Sequence, residues 1–109
     1  LYPNKKIIAC FQPHLYSRTK DFVESFAESL SLFDELLLLE IYPARELPIE
    51  GVNASWLLEK INSKNKQLVT KEKLLTCFQN SDADVYITIG AGDIGEMVKD
   101  IKKVLNEKI

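Results

Sequence analysis

Val85–Leu105 reads VYITIGAGDIGEMVKDIKKVL, and this stretch decides the fold. Val85 to Gly90 form a short apolar run, the form taken by a strand covered on both faces. Beyond a glycine-rich turn, Ile94, Met97, Val98, Ile101, Val104 and Leu105 keep helical spacing, while Lys99, Asp100, Lys102 and Lys103 face away. A strand that turns directly into an amphipathic helix is the repeating unit of an α/β domain.

The same unit recurs toward the amino terminus. Lys6–Phe11 (KIIACF), Glu35–Ile41 (ELLLLEI) and Gln67–Thr70 (QLVT) are further apolar runs with strand character. Between the first two, Phe22, Val23, Phe26, Ala27, Leu30 and Phe33 form one stripe, which predicts a helix over Arg18–Phe33 with Ser17 or Thr19 as its cap. Asn53 caps a helix carrying Ala54, Leu57, Leu58 and Ile61, and a short helix with Leu74, Leu75 and Phe78 follows Thr70. The expected fold is α/β, a Rossmann-like three-layer domain with a mostly parallel sheet in the order 3-2-1-4 and right-handed crossovers. Tyr42–Val52 (YPARELPIEGV) holds two prolines and a glycine and is read as a loop at a strand's carboxyl end.

At 109 residues the chain suffices for one domain, taken here as residues 1–109. With 46% hydrophobic and 28% charged residues it has globular composition, so disorder is not indicated. The net charge of −2 offers no basic face for nucleic acid. The run Leu36–Leu39 is far shorter than the roughly 18 residues of a membrane span, and no signal-peptide layout is present. Cys10 and Cys77 form no CxxC pair and sit among apolar neighbours, which predicts two reduced, buried thiols and a cytoplasmic location. Opening on Leu1 without Met, the chain reads as an amino-terminally truncated domain of a longer protein.

Ligands of open α/β sheets bind beyond the carboxyl ends of the strands, where strand order reverses. In the order 3-2-1-4 the loops PHLYSRT, YPARE and GAGDIG adjoin there. Gly90-Ala91-Gly92-Asp93-Ile94-Gly95 matches GxGxxG, but no following strand with a ribose-binding acid remains, so no dinucleotide site is assigned. Two readings stay open for it: backbone N–H groups offered to an anion, or a tight turn with Asp93 and Glu96 as a capping box. Arg18, in the opening turn of a helix, opposes the helix dipole unless it shares a bound carboxylate or phosphate with nearby N–H groups. His14 beside it is either a ligand contact or a hydrogen-bonded loop residue. Arg45 and Glu46 are either ligand contacts or a solvated pair, which would contribute about 0 to 1 kcal/mol. Tyr16, Tyr42 and Trp56 are read as packing residues.

FQPHLYSRTKDF resembles the FQPHRYSRTRD segment of the Mur ligases, in particular the branch that joins L-alanine to UDP-N-acetylmuramate. IYPARELPIEGV is similar to their VYPAGEAPIPGA loop, and GAGDIGEM to their GAGDIGK segment. The resemblance implies the carboxy-terminal, amino-acid-binding domain of an ATP-dependent ligase of peptidoglycan synthesis. In that family ATP phosphorylates the muramic acid carboxylate and the amine of L-alanine attacks the acyl phosphate, with Mg²⁺ assisting. It further implies that His14 and Arg18 hold the carboxylate of the incoming amino acid and that Ala91 and Gly92 add backbone contacts. Leu15 departs from a common arginine and Arg45 from a common glycine, so Arg45 is expected to return a guanidinium to the site. No GxxxxGK[ST] segment is present, which places ATP and Mg²⁺ mainly on the missing central ATPase domain, leaves UDP-N-acetylmuramate to a missing UDP-binding domain, and predicts that this chain alone is inactive. Rival readings are the related ligase that attaches a murein tripeptide, and a non-catalytic α/β module binding a small anion.

Overall fold

A computed structural model describes residues 4–90 and 92–107. In chain order the elements are β1 (Ile7–Gln12), α1 (Tyr16–Asp21), α2 (Val23–Leu30), β2 (Glu35–Leu38), α3 (Ala54–Lys60), β3 (Lys66–Leu68), α4 (Lys71–Asn80), β4 (Val85–Gly90), α5 (Asp93–Glu96) and α6 (Val98–Glu107). The four strands form one sheet in the order β3-β2-β1-β4. Every pairing is parallel, with Cys10 opposite both Leu37 and Thr88 and with Leu37 opposite Gln67. The α/β class and the strand order are those expected from the sequence.

Alternation along the strands divides the core between the two faces. Ile8, Cys10, Leu37 and Leu39 meet Leu74, Phe78, Ile94, Met97 and Ile101 from α4, α5, α6 and the residue between the last two. Ala9, Phe11, Leu36 and Leu38 meet Ala27, Leu30, Ala54 and Leu57 from α2 and α3 on the other face. The chain steps from β1 to β2 to β3 with its helices on one side. It then returns across β1 to β4 with α4 on the opposite side, as crossovers of one hand require. The reversal lies between β1 and β4, and there the trailing loops converge.

Only the central strands are buried on both faces. All six residues of β1 are buried, whereas β3 and β4 are edge strands, with Leu68 at 41% exposure and β4 half-buried or exposed throughout. Thr70, expected both to end the third strand and to precede the next helix, lies beyond β3 and caps α4 by accepting from Lys73 N at 3.2 Å. Asn53 caps α3 as expected, accepting from Trp56 N at 2.8 Å, and such a cap contributes about 1 kcal/mol. Lys66 Nζ closes the far end of α3 on the carbonyls of Leu58 and Ile61.

Two helix expectations are corrected. The helix expected over Arg18–Phe33 is two helices broken at Phe22 (φ −114°, ψ 22°), which is 54% exposed and leaves the apolar stripe. Its cap is neither Ser17 nor Thr19: the position before α1 is Leu15, and Thr19 Oγ1 instead donates back to Leu15 O at 2.7 Å. The terminal stripe is likewise divided into α5 and α6 at Met97. Cys10 is buried, but Cys77 only partly so; both are free. Burial, with a smaller contribution from Cys77, pushes the Cys10 thiol up to about 12.

Candidate functional site

The first loop begins where β1 meets Pro13. Tyr42 N donates to Pro13 O and Leu15 N donates to Tyr42 O, both at 2.8 Å, so His14 and Tyr42 form one isolated parallel bridge beyond the sheet. The two rings stack, with centroids 5.9 Å apart and planes 14° from parallel. Leu15 adopts φ 71°, a conformation in which a bulky side chain is strained by about 1–3 kcal/mol. The Tyr42 bond to its N–H and two bonds from Thr19 to its carbonyl hold it there.

The glycine loop approaches this bridge closely. A Cβ at Gly92 (φ 82°) would lie 2.5 Å from Cγ and Cδ2 of Tyr42, and one at Gly90 would lie 2.5 Å from Gln12 O. Glycine is therefore required at both positions for space as well as for the backbone angle. Asp93 and Glu96 do not make a capping box, since the cap position is Gly92 and no side chain caps α5. The amide of Gln12 does part of that work instead. Its Oε1 accepts from Ile94 N at 3.0 Å, while Nε2 donates to Asp93 Oδ2 and to Glu40 O, both at 3.1 Å. Gln12 is 3% exposed, so these bonds satisfy a polar group that burial would otherwise make costly. Asp93 also pairs with Lys71 Nζ at 3.1 Å. The Gln12 bond first, and then Lys71, hold the Asp93 carboxyl below its ordinary range.

The second loop supplies what α1 lacks. Glu46 Oε1 accepts from Ser17 N at 3.0 Å and its Oε2 accepts from the Ser17 hydroxyl. A carboxylate from another loop thus sits at the start of α1, where its charge suits the helix dipole. The Ser17 hydroxyl and amide, with a smaller contribution from His14, hold the Glu46 carboxyl below its usual range. Glu46 is therefore not a solvated partner of Arg45, and the Ser17 N–H, one of those near Arg18, is already engaged.

Among the sequence-predicted site residues, His14 and Gly92 are brought onto one tyrosine ring. Arg18 and Arg45 are exposed, and neither side chain makes a hydrogen bond or ion pair among the described residues. Ala91 lies outside the described residues. Gln12, Tyr42 and Glu46 were not singled out for the roles they play. Only the buried amide at a strand's end offered a signal, because Tyr42 and Glu46 act across about thirty residues of chain. Among the described residues no group of three or more His, Cys, Asp or Glu is arranged to hold a metal ion. A surface pocket of about 560 Å³ lies away from these loops between α2 and the end of α3, beside Glu24, Ser31 and Lys60, and has none of this geometry.

No family model matches the chain. It is 67% identical over 108 residues to the UDP-N-acetylmuramate–L-alanine ligase of Flavobacterium psychrophilum, covering 99% of this chain and 24% of that protein. It is 61% identical over 109 residues to the ligase of the same name from Flavobacterium johnsoniae, covering all of this chain and again 24% of the relative. The chain thus spans about a quarter of the length of the curated relatives it matches. The solved UDP-N-acetylmuramate–alanine ligase of Thermotoga maritima shares the fold, with TM-score 0.69 and 23% identity over 97% of this chain and 21% of that one.

Proposed function

The chain is related over its whole length to the UDP-N-acetylmuramate–L-alanine ligases, and from that premise we propose that it is the carboxy-terminal, amino-acid-positioning domain of such an enzyme. His14, Arg18 and Arg45, with backbone of Ala91 and Gly92, receive the carboxylate of L-alanine. The observation that carries this reading is the meeting of His14 and Gly92 on Tyr42 at the sheet's switch point; Arg18 and Arg45, on the segments that follow His14 and Tyr42, are exposed and have no side-chain partners among the described residues. A carboxylate held by a guanidinium is fixed in direction as well as place, which leaves the amine free to attack. Such positioning can remove about 7 to 11 kcal/mol from a barrier.

ATP supplies the phosphoryl group that activates the muramate carboxyl, and UDP-N-acetylmuramate carries that carboxyl. Both, together with Mg²⁺, are assigned mainly to the rest of the protein. The sequence holds no GxxxxGK[ST] segment, and among the described residues no cluster is arranged to hold a metal ion. This chain alone therefore releases no ADP in the presence of alanine and UDP-N-acetylmuramate. Cytoplasmic residence fits the free thiols, and no helix among the described residues is long and apolar enough to cross a membrane. The relatives are named for alanine, which favours it over a tripeptide.

Steady-state kinetics of the full-length protein test the reading. Arg18→Ala removes a charge-assisted contact and raises KM for alanine about ten- to a hundredfold, leaving KM for ATP unchanged. A KM for alanine within about twofold of the parent's would refute the role of Arg18.

A further inference from the structure

The geometry points to Tyr42 as a positioning residue for the incoming amino acid, acting through His14; the inference rests on the carboxylate-binding role proposed for His14. Tyr42 cannot shift along the chain direction, because its N–H and carbonyl are both bonded to the residues flanking His14, each at 2.8 Å. Nor does its ring have room toward the glycine loop, where Gly92 lies so near that a single added methyl would stand 2.5 Å from Cγ and Cδ2. The ring is thus fixed by backbone on one hand and by a glycine on the other. The imidazole of His14 lies against it, 14° from parallel.

Tyr42 therefore sets the plane of the imidazole and, through the same ring, its register with the glycine loop. This assigns Gly92 a second duty, to leave room for the ring, beside any contact of its own backbone. The Tyr42 hydroxyl makes no hydrogen bond among the described residues, so the ring and not the hydroxyl carries the effect. Aromatic packing of this kind, converted to affinity, corresponds to about a three- to tenfold change.

The experiment is a mutant cycle in the full-length protein, reading KM for alanine, kcat and KM for ATP. Tyr42→Ala raises KM for alanine about three- to tenfold with KM for ATP unchanged, and Tyr42→Phe restores the parent value. Tyr42→Leu fills the volume without a ring and gives the same rise, so the result stands if the alanine variant does not fold. The double variant His14→Ala/Tyr42→Ala has the KM of His14→Ala alone, since a residue that acts through His14 has no effect once His14 is gone. If His14→Ala raises KM and the Tyr42 effect is absent or simply adds to it, the positioning role is overturned while the carboxylate reading stands. If His14→Ala leaves KM unchanged, the carboxylate reading itself fails and this inference with it.

Discussion

His14 and Arg18 are four positions apart on one loop and helix start, yet they are held in opposite ways. His14 is clamped by a backbone bridge and a stacked ring, whereas Arg18 extends into solvent without a side-chain partner among the described residues. The same contrast separates Glu46 from Arg45 on the second loop: the carboxylate is bonded to Ser17, and the guanidinium is free among the described residues. One half of the candidate site is held by contacts within the chain itself. The other half consists of exposed cations whose side chains have no partner among the described residues. Fixed groups of this kind lower the entropic cost of binding, and the exposed guanidinium groups remain available for a charge-assisted contact.

The contrast breaks most severely at Gln12. Gln12→Leu removes the acceptor for Ile94 N and a donor to Asp93, and the buried, unpaired N–H costs about 1 to 3 kcal/mol of stability. Denaturant unfolding would show the loss, and amide exchange at Ile94 would rise. An unchanged midpoint would mean that the glycine loop is held by something other than Gln12. A smaller effect sharpens the exposed half. Arg45→Gly raises KM for alanine about threefold, the scale of an exposed ionic contact, and an unchanged KM would remove Arg45 from the site. The smallest effect concerns pH. Glu46 and Asp93 have carboxyls held below their ordinary range in the folded protein, so they stabilise it above the unfolded value of about 4 and lose that contribution as pH falls through the lower folded value. Glu46→Gln should lower the melting temperature above about pH 4, where the ionised carboxylate contributes, and leave the acid end of the profile unmoved, so that the acid limb flattens. An unaltered acid limb would show that the Ser17 contact has no energetic weight.

Much of the architecture was legible in the sequence because its signals are local. Apolar runs marked the strands, and Asn53 and Thr70 stood where caps belong. The breaks at Phe22 and Met97 were not legible, since each interrupts an apolar stripe that continues across it. At the candidate site, topology marked the three loops, residue type drew attention to His14 and Arg18, and the family resemblance added Ala91 and Gly92 and the expectation for Arg45. Their mutual arrangement could not be read in this way, because it is made by contacts far apart along the chain: Gln12 with Asp93, Ser17 with Glu46, and Tyr42 with Gly92. Local rules assigned Ser17 or Thr19 as a cap and Asp93 as half of a capping box. Ser17 and Asp93 were taken by longer-range partners, Glu46 and Gln12, whereas the Thr19 hydroxyl turned back to the Leu15 carbonyl four residues before it.

The central claim concerns where one small carboxylate goes, and a crystal structure of the full-length protein with L-alanine bound tests it most directly. The account predicts the alanine carboxylate within about 3 Å of both the His14 imidazole and the Arg18 guanidinium, with the Tyr42 ring still seated between His14 and Gly92. An alanine bound with its carboxylate turned away from His14 and Arg18, or bound at loops outside this chain, would contradict it.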